Sequence, residues 1–156
     1  IIRCESCHSG SQSSNRYHTK HWGELSCQVC HSQPYKNCNS CHTGGAGITG
    51  SSYMTLKIAR NPLLSDSRPY QYVTVRHIPI ARDTYASWGI ADLPNYDSEP
   101  TWKYATPHNI KRWTAQTDTT GGARCAERCH KSSYYLTLDD LPAEEVEANR
   151  AYVLTR

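Results

Sequence analysis

Apolar and polar positions alternate clearly in only two stretches of this 156-residue chain. Tyr53 to Arg60 and Tyr70 to Ile80 both carry the period of two expected of strands, and Asn61-Pro62 with Arg68-Pro69 punctuate the segment between them. The pattern predicts a β-hairpin with a long connecting loop. In its second strand Val73, Val75 and His77 share one face. His18-Thr19-Lys20-His21 suits a helical turn, on which an i, i+3 pair lies on one side. Residues 82–107 are rich in Pro, Gly, Asp and Trp and read mainly as loop. Thr106-Pro107-His108-Asn109-Ile110 reads as a turn. Near the C-terminus, Asp139 and Asp140 are placed to cap a helix with Pro142 in its first turn. Glu144, Glu145 and Glu147 would then lie toward its positive end, on a solvated terminal helix. Charge or Pro interrupts every apolar run within a few residues, so no membrane span is expected. The fold class is therefore mostly irregular and coil-rich, with a few short helices and a β-hairpin.

Composition makes that sparse pattern harder to fold. There is no Phe and one Met, and eight Cys and eleven Tyr inflate a hydrophobic share of only 37%. Mean hydropathy is −0.72. So thin an aliphatic content struggles to offset the entropy of ordering the chain. Something other than side chains is expected to fill the middle.

The cysteines say what. Cys4-Glu5-Ser6-Cys7-His8, Cys27-Gln28-Val29-Cys30-His31 and Cys38-Asn39-Ser40-Cys41-His42 repeat one motif. Cys125-Ala126-Glu127-Arg128-Cys129-His130 repeats it with one residue added. C-x-x-C-H is the attachment signature of c-type haem. Two thiols add across the vinyl groups, and the adjacent His reaches the iron from the same side. Zinc held by four cysteines, or local disulfides, would use the same cysteines but need no trailing His. Given 8 His in the chain, four such placements by chance have odds of roughly one in 10⁵. Four covalent haems are expected, with the lengthened fourth motif a variant.

Histidine arithmetic then points to the ligand set. His8, His31, His42 and His130 follow the motifs, and His18, His21, His77 and His108 remain, one for each haem. Met54 is the only thioether, so methionine can serve at most one iron. The count predicts bis-histidine ligation throughout, with the motif histidines proximal and the other four distal. Absence of axial Met places the haems toward low potential. An iron closed on both faces exchanges electrons but does not readily bind O₂, nitrite or peroxide. Electron transfer is therefore expected rather than catalysis. An enzyme reducing a small oxyanion would need one iron without its distal His.

The chain reads as a single tetrahaem domain, 1–156, in three parts. Residues 1–45 hold three motifs, 46–120 supply His77 and His108 around the hairpin, and 121–156 hold the fourth motif and the terminal helix. His31 and Cys38 are seven residues apart, a span of at most about 25 Å, so the second and third haems should touch or nearly touch. A start at Ile1, three residues before Cys4, reads as a mature, exported form. The formal charge of +3 shifts once two propionates per haem are counted, to about −1 oxidised and about −5 reduced. The pI of 8.4 is therefore no sign of nucleic-acid binding.

The two-histidine segment before Cys27 resembles that of small periplasmic tetrahaem cytochromes of sulfate reducers. The order of features resembles more closely the multihaem cytochromes that polymerise into extracellular filaments, or nanowires. Those features are an early C-x-x-C-H, His18-x-x-His21, two close motifs, a Tyr/Val-rich stretch ending in Arg76-His77-Ile78-Pro79, Pro107-His108-Asn109-Ile110, and a late motif. That resemblance implies a haem-filled core and a homopolymer with stacked haems in contact across subunit boundaries, some members being ligated by a neighbour's histidine. It also implies an extracellular or cell-surface location and exchange with redox proteins or extracellular acceptors. A monomeric periplasmic shuttle is the alternative. Cys4 lies so near the start that the first haem is expected at a subunit edge.

Overall fold

The computed structural model describes residues 2–36, 53–78 and 80–155. Its elements are short. Three helices come first: α1 (Cys4–Cys7), α2 (Arg16–His21) and α3 (Cys27–His31). The strands β1 (Tyr35–Lys36), β2 (Tyr53–Met54), β3 (Leu56–Arg60), β4 (Tyr72–His77) and β5 (Trp102–Tyr104) follow, and α4 (Cys125–Cys129) and α5 (Val146–Asn149) close the chain. None of these helices approaches the roughly 12–15 residues that a helix needs to hold itself in water, so tertiary contacts must hold each one.

Strands β3, β4 and β5 form an antiparallel sheet in that order. Leu56 pairs with Arg76 and Arg60 with Tyr72, while Val75 pairs with Tyr104 and His77 with Trp102. The β3–β4 pair lies inside the two alternating stretches, but three boundaries differ from the sequence expectation. The first stretch breaks at Thr55, and Tyr53–Met54 pairs instead with Tyr35–Lys36. The second strand is shorter than Tyr70 to Ile80. And β5 lies within 82–107, where loop was expected: three residues are too few to display a period, and β4 supplies the order they lack.

Both faces of β4 are covered. Ala59, Val73 and Val75 pack with Tyr70, Trp102, Leu136 and Leu141 in a small apolar core, flanked by Tyr104, Val146 and Val153. On the other face Ile58 and Thr74 lie across a narrow gap from Val29 of α3. The C-terminal segment is stitched along the outer edge of β3, through Leu136 N–H to the Ile58 carbonyl, 2.8 Å, and Arg60 N–H to the Tyr152 carbonyl, 2.9 Å.

That segment departs from the expected solvated helix. It consists of 3₁₀ turns at Leu138–Asp140 and Ala143–Glu145 and then the single turn of α5. Thr137 caps the first of these turns, its backbone N–H and hydroxyl both donating to the Asp140 carboxylate at 2.9 and 3.1 Å, and Pro142, not Asp139 or Asp140, stands at the N-cap of the second. Glu145 and Asn149 are buried, at 2% and 0% exposed. The acidic pattern alone could not reveal that one glutamate turns inward to a partner on the sheet.

Candidate functional site: paired histidines and clustered motifs

Helix α2 begins where Asn15 accepts hydrogen bonds from the backbone N–H groups of Tyr17 and His18, at 2.9 and 3.1 Å. It stops at Trp22, followed by Gly23 at φ 82°, a left-handed position suited to glycine. The helix thus carries His18 and His21 on successive turns. Nδ1 of His18 lies 2.9 Å from the Ser11 carbonyl oxygen and 2.7 Å from Ser14 Oγ. Asn15 Nδ2 also approaches this nitrogen, at 3.3 Å, but the shorter contact is to a carbonyl, which only accepts, so Nδ1 carries the hydrogen and Nε2 keeps its lone pair.

His31 at the end of α3 repeats the arrangement: its Nδ1 lies 3.0 Å from the Lys111 carbonyl oxygen. Its position is set by the chain at 109–114. Lys111 N–H donates to the His31 carbonyl at 2.8 Å, Gln33 N–H to Asn109 at 3.1 Å, and the buried Thr114 hydroxyl to the Cys30 carbonyl at 2.6 Å. The rings of His18 and His31 lie with centroids 6.0 Å apart, tilted 58° to each other. His21 and His130 are placed in the same way, with centroids 6.2 Å apart and a tilt of 59°. An iron bonded to two imidazole nitrogens at about 2 Å each holds the two ring centres about 6 Å apart. Both pairs fit that span. Burial first, then His130 and Lys20, hold His21 below its ordinary pKa, so its nitrogen lone pair is available at neutral pH.

The cysteines of three motifs gather around α3. Cys27 S–H donates to Glu5 Oε1 at 3.5 Å, and Gln28 Nε2 approaches Cys4 Sγ at 3.9 Å. Cys30 on the following turn lies near Cys129 and Cys125. Helix α3 therefore sits between α1 and α4. Burial, reinforced by these neighbours, pushes the Cys27 and Cys30 thiols up to about 12 and raises Cys129 too. Such thiols are the reverse of the depressed, exposed thiolates that act as nucleophiles. All six described cysteines are unpaired with one another as disulfides, and among the described residues no three His, Cys, Asp or Glu converge as a metal cage. Cys38, Cys41 and His42 lie outside the described residues.

The remaining histidines stand elsewhere. His8 is exposed at the end of α1. His108 is exposed in a bend beside the chain that leads from α3 toward Cys38, since Ser32 and Ile110 form an isolated bridge. His77 ends β4, its ring 5.2 Å from Trp102, and its Nε2 lies 3.0 Å from both carboxylate oxygens of Glu145. Sequence reasoning missed Glu145, and also Glu5. The Tyr70 hydroxyl donates to Glu5. Burial works to raise the Glu5 carboxyl, but hydrogen bonds from Tyr70, its own backbone and Cys27, with the charge of Arg3, bring it below its ordinary value. The signal for Glu5 was its place inside the first motif; for Glu145 there was none.

Among the described residues no helix is long and apolar enough to cross a membrane. Comparison with family models, with curated proteins and with solved structures returned no match.

Proposed function

We propose that the protein is a c-type multihaem cytochrome that carries electrons through four covalently bound haems, each iron held by two histidines. The observation that carries this reading is the pair of imidazole couples, His18 with His31 and His21 with His130, each spanning the width of one six-coordinate iron. For the first couple, backbone carbonyls hold the opposite ring nitrogens, the outer-sphere arrangement typical of metal-ligating imidazoles. On this reading Cys27 and Cys30 hold the haem between His31 and His18, and Cys125 and Cys129 the haem between His130 and His21. Cys4 and Cys7 with His8, and Cys38 and Cys41 with His42, hold the other two, and His77 and His108 are their distal ligands. The clustering of Cys4, Cys27, Cys30 and Cys129 supports haems packed within reach of one another.

The chain is further proposed as a subunit of an extracellular homopolymeric filament. Helix α1 supports this, because it buries no residue and leaves Cys7 and His8 exposed, an edge suited to a neighbour. The pyridine haemochrome and the intact mass of the native protein should report four haems. A colourless product, or the mass of the bare polypeptide, would sink the cytochrome reading. Negative-stain microscopy should show filaments. Monodisperse particles of monomer mass at high concentration would instead favour a diffusible shuttle, and a cyanide-induced spectral change would favour an enzyme with an open iron.

A further inference from the structure

His77 differs from His18 and His31 in which ring nitrogen is engaged. In those two the engaged atom is Nδ1, against a backbone carbonyl. In His77 it is Nε2, 3.0 Å from both oxygens of a carboxylate that is 2% exposed. The carboxylate is itself held in place. Thr101 donates its hydroxyl to Glu145 Oε2 at 2.5 Å. Asn149 donates to Thr101 Oγ1 at 2.9 Å and to the Glu145 carbonyl at 2.7 Å, and accepts from Trp102 N–H at 3.0 Å. A buried carboxylate is costly to leave without a donor. Nε2 therefore carries a hydrogen toward Glu145, and Nδ1, which has no hydrogen-bond partner among the described residues, keeps the lone pair.

We propose that His77 presents Nδ1 rather than Nε2 to its iron, and that Glu145 is the positioning residue that fixes this orientation. The inference rests on the cytochrome reading above. A carboxylate accepting the far N–H makes an imidazole a more basic donor, and a stronger axial donor favours the oxidised iron. The bond to Glu145 thereby lowers the potential of the haem that His77 serves. Thr101 and Asn149 hold the carboxylate at the start of β5, so the effect belongs to the fold and not to a mobile side chain.

The test uses the holoprotein. Glu145→Gln keeps the shape and a weaker acceptor, and should move one haem's midpoint potential upward in a spectroelectrochemical titration while the other three stay. The low-spin EPR signal of that haem should shift with it. His77→Ala should convert one haem to high spin in the same protein. Haem counts by pyridine haemochrome run alongside: four haems with unmoved potentials in Glu145→Gln would overturn the role of Glu145, whereas fewer than four in the native protein would overturn the cytochrome reading instead. If Glu145→Gln fails to fold, Thr101→Val, which removes one donor to the carboxylate and keeps the strand, should raise or broaden the same single potential. An unchanged titration there would overturn the proposal as well.

Discussion

The sheet and the motif helices solve the problem of burial in opposite ways. Strands β3–β5 and the C-terminal segment share an apolar cluster, with Ala59, Val73, Val75 and Leu136 all at 0% exposed. No residue of α1, α2 or α4 is fully buried, and in α3 only Val29 is. Helices of four to six residues cannot persist on backbone hydrogen bonds alone. The sheet is thus a small protein core of ordinary kind, and none of the motif helices contributes a residue to that apolar cluster. On the proposed reading, haems supply the apolar partner that those helices lack.

The largest effect should come from withholding haem. In protein matured without it, backbone amides of 73–75 should keep their protection from hydrogen exchange, and those of 4–31 should exchange near the rate of an unfolded chain. Equal protection in both regions would end the contrast. Leu136→Ala should come next. It empties a fully enclosed site, and should cost about 2–5 kcal/mol in denaturant unfolding, against less than about 0.5 kcal/mol for Ile2→Ala at an 88% exposed position.

The smallest effect is electrostatic. Asp140 is bonded to Lys57 at 2.8 Å. Burial works to raise its carboxyl, but Lys57 and Thr137 outweigh that and hold it below the ordinary value. A depressed folded pKa gives stability that is complete above the unfolded value of about 3.9 and is lost as pH falls through the folded one. Asp140→Asn should therefore cost about 1 kcal/mol or less near neutrality and make the unfolding free energy less steep below about pH 4. An unchanged acid limb would show that this ion pair does not tie the C-terminal segment to β3.

Much of the local chemistry was legible. The motif spacing is covalent geometry written directly into the chain, and the two-turn placement of His18 and His21 follows from helical period once Asn15 caps it. Alternation located β3 and β4. What escaped was set by partners far off in sequence. Trp102–Tyr104 is a strand only because β4 lies beside it. Glu145 looks like any residue of an acidic terminal turn until Thr101 and His77, 44 and 68 positions away, close around it.

The sequence by itself determined how many thiols and imidazoles there are and which stand beside each other along the chain. Tertiary structure decided which imidazoles face one another, and which nitrogen of each ring is free. Those choices turn on hydrogen bonds accepted by the Ser11 and Lys111 carbonyls and the Glu145 carboxylate; the last two join residues 80 and 68 positions apart, which no local pattern of residues encodes.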